Sequence, residues 1–292
     1  MKLRAAVAAL AMFFLTAAAA PRESMLVSTA WLAERLDDPG LVILHVGTPA
    51  SYAQHIPGAR HAALADISVS SPEGGTLEML PEAELRLRLS GLGIGDRSRI
   101  VVYYAEAIQS ATRVVFTLDA AGLGERTVLL DGGLPAWQRE GRPLSAEVPT
   151  AHIGSLSALT MRKGAVVDAD FVRENAAKPG YALIDARVPE FYSGAKPGGS
   201  PEVPHKLGHI PGAKNIPVTT LTDEKMNVAS AASIKAAFDK VGVKPGDKLM
   251  VYCHIGQQAS AIIFAARTLG YDAVLYDGSF EDWSRKGLPV EK

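Results

Sequence analysis

The pentapeptide His55-Ile56-Pro57-Gly58-Ala59 returns verbatim as His209-Ile210-Pro211-Gly212-Ala213, and a repeat of that kind constrains the fold more than any composition does. The surroundings repeat with it. Upstream, Val42-Ile43-Leu44-His45-Val46-Gly47 matches Ala182-Leu183-Ile184-Asp185-Ala186-Arg187. Downstream, Leu92-Gly93-Ile94-Gly95-Asp96 matches Val241-Gly242-Val243-Lys244-Pro245-Gly246-Asp247, each ahead of an apolar run. Each copy closes on Asp-Gly and a tryptophan, Asp131-Gly132-Gly133 to Trp137 and Asp277-Gly278-Ser279 to Trp283. Landmarks in one order make the chain a tandem duplication. Its halves fall at residues 24–149 and 165–291, and 292 residues suit two domains of ordinary size. A polar, Pro- and Gly-containing linker lies between Arg142 and Gly164, with residues 150–164 as the boundary segment.

Both halves carry the same order of elements. Short β-branched and apolar runs, Leu41–Val46, Ile100–Tyr104 and Thr127–Leu130, then Ala182–Ala186, Lys248–Tyr252 and Ala273–Tyr276, have the length of buried strands. Helical patterns separate them: Ser28–Leu36, Pro81–Leu89 and Ala111–Ala121, mirrored by Asp168–Ala177, Ser230–Val241 and Ala259–Leu269. Strand alternating with helix predicts an α/β fold, each half a mostly parallel sheet flanked by helices. Functional groups in such sheets sit at the carboxyl ends of the strands.

Composition narrows the function. Thirty basic against thirty-one acidic residues leave a net charge of −1, so neither nucleic acid nor an anionic membrane is an expected partner. Lys2 and Arg4 precede an apolar run from Ala5 through Leu15 and the small residues Ala17–Ala20, the pattern of a secretory signal peptide over residues 1–20. The apolar run is shorter than the roughly 20 residues of a membrane span. The expectation is therefore an exported protein, periplasmic or secreted, with no stable membrane insertion once the leader is removed. The single cysteine, Cys253, excludes an internal disulfide and any multi-thiolate metal site. No metal or cofactor is expected. A lone thiol in an oxidising compartment is exposed to oxidation, which points to a retained chemical role.

Cys253 follows the apolar run Lys248–Tyr252, and His254-Ile255-Gly256-Gln257-Gln258 leads from it into the next helix. A cysteine on such a loop sees backbone N–H groups and a helix N-terminus, both of which favour an anion, so its pKa is expected to fall. Laid on the other half without a gap, Val101-Val102-Tyr103-Tyr104-Ala105 runs along Leu249-Met250-Val251-Tyr252-Cys253. Ala105 stands where the thiol would be, so thiol chemistry is confined to the second half.

His-Ile-Pro-Gly-Ala after Asp-Ala-Arg, a cysteine loop opening a helix, and Asp-Gly-Ser-x-x-x-Trp together resemble the rhodanese homology domain. The chain is similar throughout to the two-domain sulfurtransferases of that superfamily. The resemblance implies a catalytic C-terminal half and an inactive N-terminal copy that helps wall the cleft. It implies that Cys253 takes sulfur from a small-molecule donor as a persulfide and passes it to a thiophilic acceptor such as cyanide or a thiol, with the amides of His254, Ile255, Gly256, Gln257 and Gln258 stabilising the charge. A thiol reductant protein is a further candidate partner. Arg187 of the Asp-x-Arg signature becomes the candidate to hold an anionic donor or to fix the loop by a bidentate contact. His55 and His209, present in both halves, read as architectural, as do Trp137 and Trp283.

Departures from the family pattern bear on the donor. Thiosulfate-type members carry Arg and Lys after the cysteine, where this loop has His254 and Ile255; mercaptopyruvate-type loops match only at Gly256. Where a second arginine often stands, this chain has Phe191. A less cationic loop weakens the attraction for the thiosulfate dianion without abolishing it, because backbone amides and the helix end remain, so thiosulfate is the expected donor and 3-mercaptopyruvate the alternative. An insertion without a counterpart, Gly194 to Leu207, reads as a solvated surface loop whose Lys196, His205 and Lys206 lie within reach of an anion. A phosphatase of the Cys-x5-Arg type is disfavoured because Ala259 occupies the arginine position. A non-enzymatic sulfur carrier, sensor or docking module is the remaining alternative.

Overall fold

The computed structural model describes residues 21–70, 75–150 and 153–292; the expected leader lies outside the described residues. In the first half the strands are β1 (Leu26–Val27), β2 (Leu41–Val46), β3 (Arg60–His61), the antiparallel pair β4 (Ser68–Val69) and β5 (Glu78–Met79), β6 (Arg99–Tyr104) and β7 (Thr127–Leu130). In the second they are β8 (Val166–Val167), β9 (Tyr181–Asp185), β10 (Lys214–Asn215), β11 (Lys248–Tyr252) and β12 (Ala273–Tyr276). The first sheet runs β1-β7-β6-β2-β3 and the second β8-β12-β11-β9-β10, the same order, with every pairing parallel.

Alternation along the central strands divides each sheet into two buried faces. On β6, Val101 and Tyr103 pack outward with Ile43, Ile56 and Trp137, while Ile100, Val102 and Tyr104 face a core shared between the halves. On β11, Met250 and Tyr252 pack outward with Phe280 and Trp283, while Leu249 and Val251, and Cys253 just past the strand, face the shared core. Side-chain phase therefore aims Cys253 at the domain interface.

Helices Ile108–Ala120 and Gln257–Thr268 meet across that interface at equivalent positions. Thr112 Oγ1 lies 3.4 Å from its counterpart Ser260 Oγ, and Asp119 pairs with its counterpart Arg267 at 2.6 Å. Two identical residues at that second position would repel; divergence of the copies made them complementary.

The repeated pentapeptide is architectural in both halves. His55 Nδ1 lies 2.7 Å from Tyr52 O and His209 Nδ1 2.9 Å from Tyr192 O, each ring stacked on that tyrosine. Ile56 N donates to Tyr103 Oη and Ile210 N to Tyr252 Oη. The tryptophans repeat as closely: Trp137 Nε1 donates to Pro143 O and Trp283 Nε1 to Pro289 O. The linker is less polar in its packing than in its composition, because Leu156 and Leu159 are buried and Thr160 and Arg162 donate to Ala121 O and Ala120 O.

Candidate active site

Cys253 stands one residue past β11, and Gly256, at φ +83°, turns the chain into the helix that starts at Gln257. A β-carbon on Gly256 would lie 2.9 Å from Arg113 Nη1 and 3.1 Å from Asp277 O, so both conformation and space require glycine. The amides of Ala259, Ile255, Gln258 and Gly256 lie toward the sulfur and favour its anion. Three of them belong to the expected set His254–Gln258, and Ala259 was missed. The Gln257 side chain instead crosses the interface to donate to Ser110 Oγ at 2.8 Å.

The expected fall in the thiol pKa does not occur. Cys253 is wholly buried, and burial pushes its pKa above the usual thiol range against the pull of those amides. Sequence shows the amides but not the loss of water, and here the loss of water is larger. The resting sulfur is a sealed, neutral thiol in a cradle suited to an anion.

Behind the loop, Cys253 N donates to Ser279 Oγ at 3.2 Å, and Ser279 Oγ donates to Tyr276 O at 2.9 Å. Phe280 N and Glu281 N donate to the carbonyls of Cys253 and His254. Ser279 has φ +52°, where its counterpart in the first half is Gly133 at φ +55°. A left-handed conformation costs a non-glycine residue roughly 1–2 kcal/mol, and the hydroxyl that ties the Cys253 amide is what the cost supports. Ser279→Ala should unfold at lower temperature than Ser279→Gly, by about 1 kcal/mol. That order is the reverse of the ordinary helix preference for alanine, and thermal unfolding of the pair checks it.

Arg187 is buried at the end of its strand. Its Nε and Nη2 grip Asp185, the latter at 2.6 Å, Nη2 also donates to Gly208 O, and the guanidinium lies 3.9 Å from the Phe280 ring centroid. Of the two roles expected for it, the geometry is that of a bidentate structural contact. Its charge nonetheless reaches the site: it helps depress the pKa values of His254 and His205.

The insertion is largely exposed, as expected, but one of its residues is not. Its polypeptide folds over the cysteine loop, placing buried His205 with Nδ1 3.3 Å from His254 Nδ1, while Lys206 Nζ turns away to donate to Leu288 O. Burial first, then the charge of Arg187, lowers His254 to about 3 and His205 to about 4. Both imidazoles are neutral at neutral pH, so His254 brings no positive charge to the thiol. A cavity of about 430 Å³ opens here, lined by Phe191, Pro197, Val203, His205, His254 and Ile255 among others. Thr76 of the first half closes one side and donates to Glu281 Oε1.

The contribution of the first half is larger than a wall. Arg113 Nη1 meets Asp277 Oδ1 at 2.6 Å, Arg113 Nη2 donates to Leu77 O, and Met79 N donates to Asp277 Oδ2 at 2.8 Å. Arg113 corresponds to Ala261 in the other copy, so the repeat gave no signal for it. The mirror contact is simpler: Val228 N donates to Asp131 Oδ1, and Tyr104 Oη to Met226 O.

Two interlocked parallel sheets with one thiol, held in a ring of amides at a strand's carboxyl end, define a two-domain sulfurtransferase. A family model described as the rhodanese-like domain matches residues 28–140 and again 168–286, and the chain belongs to that family. It is 31% identical over 270 residues to a thiosulfate sulfurtransferase of Azotobacter vinelandii, spanning 91% of this chain and 97% of the relative. It is 30% identical over 279 residues to the sulfur carrier protein TtuD of Thermus thermophilus, at 92% and 96% coverage. In fold it matches the anaerobic ergothioneine biosynthesis enzyme of Chlorobium limicola with a TM-score of 0.80, at 22% identity, over 93% of this chain and 71% of that one.

Proposed function

We propose that this sulfurtransferase takes sulfane sulfur from thiosulfate, carries it as a persulfide on Cys253, and delivers it to a thiophilic acceptor such as cyanide or a thiol. The observation that carries the reading is the ring of amides around the only thiol. The Cys253 thiolate attacks the outer sulfur of thiosulfate; the S–S bond to the sulfonate sulfur breaks and its electron pair leaves with sulfite. The persulfide keeps one negative charge, which the amides of Ile255, Gly256, Gln258 and Ala259 face. Cyanide then attacks the terminal sulfur, thiocyanate leaves, and the thiolate is restored. Cys253 is wholly buried and does not line the cavity, so the wall between them must open for the donor to reach the sulfur. Arg187 adds positive potential from behind the loop rather than a free grip on the donor.

The likeness to a sulfur carrier protein favours a second reading, in which Cys253 holds sulfur for a protein acceptor. Export belongs to the proposal and is supported by the pattern over Lys2–Ala20; a thiol reductant protein would then keep Cys253 reduced. Purified protein given thiosulfate and cyanide should release thiocyanate over many turnovers, faster than with 3-mercaptopyruvate. Sulfur loading should accelerate from about pH 7 to about pH 9, because a thiol with a raised pKa gains thiolate across that range. Absence of thiocyanate overturns the enzymatic reading, and faster turnover with 3-mercaptopyruvate overturns the choice of donor.

A further inference from the structure

The cap that the insertion forms brings one histidine to the site that no feature of the repeat announces. His205 is buried, its Nδ1 is 3.3 Å from His254 Nδ1, and its Nε2 is buried without a partner. The chain is shaped to hold the pair. A β-carbon on Gly198 would lie 2.7 Å from His254 Cε1 and 3.2 Å from His205 Nδ1. Gly198 has no left-handed φ, so the imidazoles, not the backbone, require glycine there.

The tautomers follow from these contacts. A hydrogen bond between two neutral rings through Nδ1 needs one Nδ1–H donor and one Nδ1 lone pair. A buried N–H left unmade is rarer than a buried lone pair left unmade, and the unpartnered atom of His205 is Nε2. His205 therefore carries its proton on Nδ1 and donates it. His254 accepts on Nδ1 and must carry its own proton on Nε2, which has no protein partner among the described residues and belongs to a ring that lines the cavity.

We infer that His205 is a positioning residue that fixes His254 as a neutral Nε2–H donor in the wall of the cavity beside the cysteine loop, where it takes an oxygen of the sulfur donor. The inference rests on the sulfurtransferase reading above. It also fits the wall: Phe191, Pro197, Val203 and Ile255 supply no charge, and Glu281, the one carboxylate among the described lining residues, is engaged by Arg285 and Thr76. Recognition by a neutral donor takes the place of the cationic pair that the sequence lacks.

The test compares His205→Ala, His205→Asn and Gly198→Ala with the parent protein, using thiosulfate as the sulfur donor, cyanide as acceptor, and ¹⁵N chemical shifts of the imidazoles. His205→Ala should raise KM for thiosulfate at least fivefold, with a smaller fall in kcat, and His254 should pass from Nε2–H to a mixture of tautomers. Asparagine, whose side-chain N–H stands near the place of Nδ1–H, should restore most of the KM and the tautomer. Gly198→Ala, which leaves both histidines in the chain, should reproduce the KM change by displacing the pair. An unchanged His254 tautomer in His205→Ala, an Nδ1–H His254 in the parent, or a fall in kcat alone overturns the inference. Failure of the parent protein to take up sulfur from thiosulfate at all would be failure of the function proposed above, whereas uptake with a KM indifferent to His205 would defeat this inference alone.

Discussion

Cys253→Ser abolishes sulfur transfer, by a factor on the order of 10³ or more, and leaves the protein folded. Serine is nearly the size of cysteine, so the shared core around Val251 and Ala259 keeps its packing. The hydroxyl is a weak nucleophile without an adjacent base, and neutral His254 has its Nδ1 turned to His205. Ala105, at the same position of the first half, offers no second nucleophile. Thiocyanate formation measures the loss, and unchanged circular dichroism and thermal unfolding separate it from misfolding. Transfer at more than a few per cent of the parent rate would mean that the nucleophile has been misassigned.

Arg113→Met destabilises the protein by about 3–5 kcal/mol, the usual cost of removing one partner from a buried ion pair. The pair is almost free of water, with side-chain exposures of 1% for Arg113 and 9% for Asp277. It joins the halves, and Arg113 is also the group against which Gly256 of the cysteine loop rests. Unfolding temperature should fall by roughly 6–12 °C for a chain of this size. Adding Asp277→Asn, which keeps an oxygen for Met79 N, should recover part of the loss, because the stranded charge is then gone. Strict additivity of the two substitutions, within about 0.5 kcal/mol, would show that the pair is not coupled. Sulfur transfer should fall with Arg113→Met as well, since a residue of the first half braces the cysteine loop of the second.

Much of the frame was legible before any coordinates. Leu41–Val46, Lys248–Tyr252 and Ala273–Tyr276 are strands with the bounds their apolar runs suggest, because buried central strands leave a continuous hydrophobic signal. The edge strands Arg60–His61 and Lys214–Asn215 are two residues long and leave none. Helices Gly133–Arg139 and Ser279–Arg285 were hidden by entry through left-handed residues, where no capping side chain marks the start.

Within the site, Cys253 was found through the contrast with Ala105. Ser279 had a signal that could have been used: serine facing Gly133 in the aligned copies, beside a cysteine that only one copy has. Arg113 had none, since its partner lies in the other domain. The Gly- and Pro-rich insertion is mostly exposed, as its composition suggests; what composition does not show is that it buries His205 and that Gly198 leaves room for two imidazoles. The thiol pKa was misjudged for a related reason: sequence shows the groups near a residue, not the water removed from it.

The central claim is that Cys253 carries sulfur, and intact-mass spectrometry of the protein after incubation with thiosulfate tests it most directly. The account predicts a gain of one sulfur atom, lost on addition of cyanide and absent in Cys253→Ser. A protein that gains no sulfur, or a Cys253→Ser variant that gains it equally, would contradict the account.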